Sequence, residues 1–197
     1  MPRTGLSTDE VVRAGAELAD EAGFARLTLG MVAERLGIRA PSLYKHVDSL
    51  ADLQHRIATL AMREMDELIR DAMLGRSGRE ALAALARAIR SYVTAHPGRY
   101  TATVGAGFAG PDDALLAASA RVIESIGAVL HGYGIPEADL VHAIRTLRCT
   151  LHGFAVLQAG NAFQWSRDAD ESFEWLIGFM DRGLGGVHPG GSRSSSG

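Results

Sequence analysis

Between Gly37 and Val47 the chain reads GIRAPSLYKHV and carries its only lysine, Lys45, among 19 arginines. Within that stretch Ser42, Tyr44, Lys45 and His46 bring hydroxyl, aromatic, ammonium and imidazole groups onto one short segment. These are the groups that hydrogen-bond phosphate oxygens and base edges of duplex DNA. Lys45 suits a phosphate or a guanine edge, and Ala40 with Pro41 offer a tight apolar approach to a thymine methyl.

Such a segment needs a helix to present it and a second helix to seat it. Thr28 is a side-chain cap for a short helix bearing Leu29, Val32, Ala33 and Leu36, and Gly37 ends it. Pro41 suits the first turn of the next helix, from about Ala40 to His46, where its missing N–H costs little. Two short helices joined by Gly-Ile-Arg form a helix-turn-helix. Before them, Ser7 and Glu10 form a capping box for a first helix that Gly23 can end. After them, Ser49 and Asp52 start a long amphipathic helix over 49–73, with Leu53, Ile57, Leu60 and Met65 on its apolar side. The Gly-rich break at 75–79 follows. Five more helices are expected at about 79–95, 99–108, 111–132, 136–159 and 169–183.

The pattern LTLGMVAERLGIRAPSLYKHV, followed by SLADLQHRI, closely resembles the DNA-binding region of the tetracycline-repressor (TetR) family. The resemblance covers residues 7–60. LHGFAVLQAGNAF, more weakly, resembles the C-terminal region of one subgroup. The resemblance implies an all-α fold of about nine helices. It implies a DNA-binding domain at 1–50 and a ligand-binding and dimerisation domain at 51–185. The tail, 186–197, is expected to be disordered. The partners implied are a palindromic duplex operator, a small-molecule inducer and a second copy of the chain. Carried over position by position, Thr28 holds a phosphate and Ala40, Pro41, Ser42, Tyr44, Lys45 and His46 face DNA, with Leu43 and Val47 packing inward. Two positions depart from the family's habit: Leu50 stands where a phosphate-binding lysine is frequent, and Gly30 where a base-reading side chain is found. Arg39 and Arg3 are the candidate replacements.

The helix at 169–183 has two apolar sides, Phe173, Ile177, Met180 and Leu184 on one and Trp175 and Phe179 on the other. With Gly153 and Val156 of the preceding helix, the second side is the expected two-fold interface. Tyr92, Phe108, Arg148, His152 and Phe154 are the candidate ligand contacts.

Bulk properties narrow the alternatives. The net charge is −3, and the first 56 residues carry no excess of basic side chains, so DNA must be met by a local patch. Cys149 is alone and the seven histidines lack metal-ligand spacing. No metal, cofactor or catalytic residue is therefore expected. No signal peptide or membrane-spanning run is expected either, which suits a cytoplasmic chain without a membrane partner. The competing class is an enzyme or carrier using GAGFAG, Gly105–Gly110, which matches G-x-G-x-x-G. It is disfavoured because no strand–turn–helix unit surrounds it and Asp112 and Asp113 stand where a pyrophosphate would bind.

Overall fold

The computed structural model describes residues 6–164 and 168–186. Among these residues it is helical without strands: α1 (Thr8–Ala22), α2 (Leu29–Arg35), α3 (Leu50–Met73), α4 (Gly78–Ala95), α5 (Pro97–Thr103), α6 (Ala114–Gly132), α7 (Glu137–Ala159) and α8 (Ala169–Gly185), with 3₁₀ turns at Phe24–Arg26 and Ala40–Lys45. The all-α expectation holds. The tail at 187–197 lies outside the described residues.

Local chemistry sets the ends. Ser7 and Glu10 form the expected capping box, and the Ser49 hydroxyl accepts the Asp52 N–H at 3.1 Å. Gly23 closes α1 at φ 93° and ψ 135°, a positive φ outside the left-handed helical well. Two boundaries differ from expectation. Helix α5 starts at Pro97, whose fixed φ suits a first turn, and stops at Thr103 ahead of Gly105 at φ 77°. Helix α6 starts at Ala114, because the Asp113 carboxylate accepts the Leu115 N–H at 2.8 Å.

Two compact units form. The first gathers residues up to Asp66 with Ala95–Ala120; the second gathers Glu67–Thr94 with residues from Arg121 onward. Compact packing thus divides the chain inside α3, away from both 50/51 and the 75–79 break, because α5 packs on α1. Gly98 lies directly beneath the end of α1: a Cβ there would sit 2.0 Å from the Ala19 carbonyl oxygen. The first core joins Val11, Leu27, Val32, Leu43, Leu53, Ile57, Ala102 and Leu115. The second unit buries Leu82, Leu85, Ile89 and Tyr92 of α4, Leu147, Leu151 and Ala155 of α7, and Phe173, Ile177 and Met180 of α8.

Helix α6 corrects one expectation. By length and composition it could cross a membrane, with a mean hydropathy of 1.4. It also carries Arg121 and Glu124, and its buried Leu115, Ala118, Val122, Ile126 and Leu130 recur at three and four, the pattern of a core helix.

Candidate nucleic-acid interface

Helix α2 is fixed at both ends. The Thr28 hydroxyl accepts the Met31 N–H at 3.2 Å. At the other end Ile38 N–H donates to the Ala33 carbonyl and Gly37 N–H to the Glu34 carbonyl, both at 3.0 Å. With Gly37 at φ 64°, this is a Schellman termination. It turns the chain sharply into Arg39.

The segment expected as a helix is a 3₁₀ turn, Ala40–Lys45, with Pro41 in its first positions. Ser42 N–H donates to the Arg39 carbonyl at 2.8 Å, and His46 and Val47 N–H both donate to the Leu43 carbonyl, at 2.8 and 3.0 Å. The buried side chains Leu43 and Val47 anchor this turn in the first core. Between them Tyr44, 60% exposed, and Lys45 point out. Arg39, Ala40, Pro41 and Thr28 are exposed, and Ser42 and His46 half-buried. The eight expected contact residues therefore occupy α2's start and one turn.

The electrostatics separate free cations from spent ones. Arg35 is held by Glu21, through two hydrogen bonds, and by Glu17 at 3.7 Å. The Arg35 guanidinium keeps the Glu21 carboxyl below its usual range. Arg56 donates to Asp52 at 2.9 Å. The Ser7 backbone N–H, then its hydroxyl, lowers Glu10. Arg39 and Lys45 make no ion pair among the described residues. Leu50 is half-buried against the core, so it offers nothing to a phosphate. A Cβ at Gly30 would meet only the Thr28 hydroxyl, at 3.8 Å. Arg3 lies outside the described residues.

The seating of α1 was not foreseen. Asp20 accepts Arg99 N–H at 2.8 Å and pairs with the Arg99 guanidinium at 3.0 Å, and Arg99 reaches Glu64 at 3.2 Å. His96 Nδ1 lies 3.2 Å from Asp20. The Pro97-Gly98 pair opening a short helix is the sequence signal for this seat.

Of the five candidate ligand contacts, Phe108 belongs to the first unit and is 55% exposed; the other four belong to the second. Arg148 is exposed. Tyr92 is buried on α4 and His152 half-buried on α7. Phe154 is occupied by protein: its ring lies 4.8 Å from Phe163 and 4.9 Å from Phe173, and Arg90 covers it at 5.6 Å. In contrast, Trp175 and Phe179 stand 65% and 57% exposed, stacked at 5.5 Å and 11°. Val156 is also exposed, and nothing lies within 4 Å of where a Gly153 Cβ would be. A 370 Å³ apolar cavity between α7 and α8 opens beside Phe179, against Leu147 and Met180.

The Gly105–Gly110 segment is a loop between α5 and α6. The Asp113 carboxylate, accepting the Ala109 N–H at 2.7 Å, the Leu115 N–H and a contact from His55 at 2.9 Å, fills the place a pyrophosphate would need. Those backbone donors, the largest cause first Ala109, hold Asp113 below its ordinary pKa.

Comparison with known proteins agrees with this geometry. Residues 11–56 match the family described as bacterial regulatory proteins, tetR family, and residues 82–180 match the tetracyclin repressor-like C-terminal domain. The uncharacterized HTH-type transcriptional regulator Rv0681 of Mycobacterium tuberculosis is 33% identical over 78% of this chain and 70% of its own. YobS of Bacillus subtilis, described in the same words, is 31% identical over 93% and 95%. Among solved structures, BioQ with its natural double-stranded DNA operator has a TM-score of 0.67 at 22% identity, covering 93% of this chain and 99% of that one. A TetR variant from Acinetobacter baumannii in complex with minocycline has 0.68 at 22%, covering 91% and 96%. With a reader turn, a continuous helix behind it and both family regions in order, the chain belongs to the TetR family of DNA-binding transcriptional regulators.

Proposed function

We propose that the chain is a ligand-responsive repressor, cytoplasmic, that holds a palindromic operator as a homodimer and releases it when a small molecule binds its C-terminal helical domain. The observation that carries the DNA contact is the Ala40–Lys45 turn, which buries Leu43 and Val47 and leaves Tyr44 and Lys45 outward. Arg39 replaces the missing lysine at position 50, and Thr28 with Ser42 and His46 orients the turn on phosphates. The second copy docks on Gly153, Val156, Trp175 and Phe179, whose exposed apolar surface supports a shared face. Two readers then meet two half-sites. BioQ bound to an operator and a TetR variant bound to minocycline support the two partner classes.

The test is selection of bound duplexes from a random library, with Lys45→Ala and Tyr44→Ala in parallel. Enrichment of a two-fold palindrome by the wild type, lost in both variants, is the expected result. No enrichment at low salt, where binding is strongest, overturns the reading.

A further inference from the structure

The second unit holds a groove that none of the expected ligand residues lines. Its volume is 720 Å³, within the range of small-molecule sites. One wall comes from the last turns of α3 and the residues after it, with Leu68, Ala72 and Arg76 four apart; the other is the matching face of α4. The floor is Ala72, Ala83, Ala84 and Ala88, with Leu68 exposed above it. Methyl groups there leave a trough where larger side chains would close it. From Arg79 to Ser91 the α4 wall runs for about 18 Å at 1.5 Å per residue.

The rim is charged. Arg76, Arg79 and Arg87 line it with the acid Glu80, and Glu174 and Asp181 stand against Arg87 and Arg79. Arg87 is already neutralised by Glu174, through two bonds at 2.8 and 2.7 Å. At the turn end the pairing is looser. Arg79 lies 3.8 Å from Asp181 and also within reach of the charge on Glu174. Arg76 donates to the Ala72 carbonyl and has no acidic partner among the described residues. An elongated trough with an alanine floor, the unpaired Arg76 and the loosely paired Arg79 at one end complements a molecule with a hydrocarbon chain and one anionic head.

We propose that this groove binds a monomeric, single-chain aliphatic carboxylate, its head at Arg76 and Arg79 and its chain along the alanine floor. The site stands on the groove itself; its use as a switch rests on the reading of the chain as ligand-responsive.

Calorimetry of the full chain with dodecanoate, below micelle formation, tests it. One ligand per chain is expected. Affinity should fall about tenfold for 1-dodecanol or in Arg76→Glu, the loss of one charged contact. Ala84→Phe and Ala72→Phe, each filling the trough, should abolish binding with helix content unchanged. His142→Ala, in the α7–α8 cavity, should bind as the wild type does. Equal affinity for dodecanol, undiminished binding in both filling variants, or absence of binding overturns the site. So does binding to phosphatidylglycerol vesicles without binding of monomeric dodecanoate, which would assign the arginines to a membrane surface. Duplex release is read separately. Binding without release overturns the switch alone; an intact operator complex with no dodecanoate binding overturns the site alone.

Discussion

Gly98→Ala is the most severe single-methyl change the structure identifies near the reader. The new Cβ would stand 2.0 Å from the Ala19 carbonyl oxygen, 2.1 Å from its carbon and 2.5 Å from the Asp20 nitrogen. All three are backbone atoms, so no rotamer relieves the contact. Restoring an ordinary separation of about 3.5 Å means moving α1 from α5 by about 1.5 Å. Forced overpacking costs about 1–3 kcal/mol. The same movement breaks the Arg99 backbone N–H hydrogen bond to Asp20 at 2.8 Å and the ion pair between their side chains at 3.0 Å. Those two side chains are each 14% exposed, and losing a charged hydrogen bond adds about 1.5–3 kcal/mol. The expected loss is about 3–5 kcal/mol, a large share of a stability of about 5–15. At about 2–4 °C per kcal/mol for a chain of this size, Tm should fall by about 10 °C. Calorimetric melting at fixed protein concentration reads it. Gly127→Ala is the control: it lies inside α6 with nothing within 4 Å of its Cβ, and should melt at or slightly above the wild type. A Gly98→Ala melt within about 2 °C of wild type would refute the seating of α1 on α5.

Other consequences are equally open to measurement. Leu43→Ala should cost about 2–5 kcal/mol in urea unfolding, whereas Tyr44→Ala should stay within about 0.5 kcal/mol yet lose the operator. Lys45→Ala should weaken binding across sequences and reduce the salt slope by about 1 per reader, read from titrations at several salt concentrations. Asp113 is favoured in its charged form on folding. Its stabilisation is therefore complete above the ordinary carboxylate value of about 4 and is lost as pH falls through the depressed one. In denaturation across that window, the stability gap between wild type and Asp113→Asn should close as the medium is acidified. Trp175→Glu combined with Phe179→Glu should sediment as a monomer with wild-type helix content.

What could be read from the sequence was local. Ser7 with Glu10, Thr28 with Met31 and Ser49 with Asp52 are contacts three residues apart, and residue type alone announces them. The two sides of α8 follow from helical period: Phe173, Ile177 and Met180 are buried and Trp175 and Phe179 exposed. The reader turn was legible because Pro41, Leu43 and Val47 constrain it from within eleven residues. What stayed hidden depends on distant pairs. Asp20 and Arg99 lie 79 positions apart, and nothing local marks either as the other's partner. Phe154 read as a ligand contact because the rings of Phe163 and Phe173 that enclose it come from other segments. The α3–α4 groove exists only once the hairpin at 74–77 lays two alanine-bearing faces together.

A reader without a basic surplus can still bind DNA where its acids serve the fold, as five of the eight among residues 1–56 do. Glu17 and Glu21 face Arg35, Asp52 faces Arg56, Glu10 closes the Ser7 cap and Asp20 holds Arg99. Each of these carboxylates serves a fold contact on α1 or α3, while Lys45 and Arg39 on the turn keep their charge for a partner. Two free cations are few, however. Counterion release scales with about 0.9 per phosphate neutralised, so one reader gives a salt slope near −2 and two together near −4. Doubling the slope doubles the electrostatic free energy at a given low salt, and linking the sites makes the second contact intramolecular. If the second copy docks on the α7–α8 face as proposed, that face matters to DNA binding as much as Lys45 does.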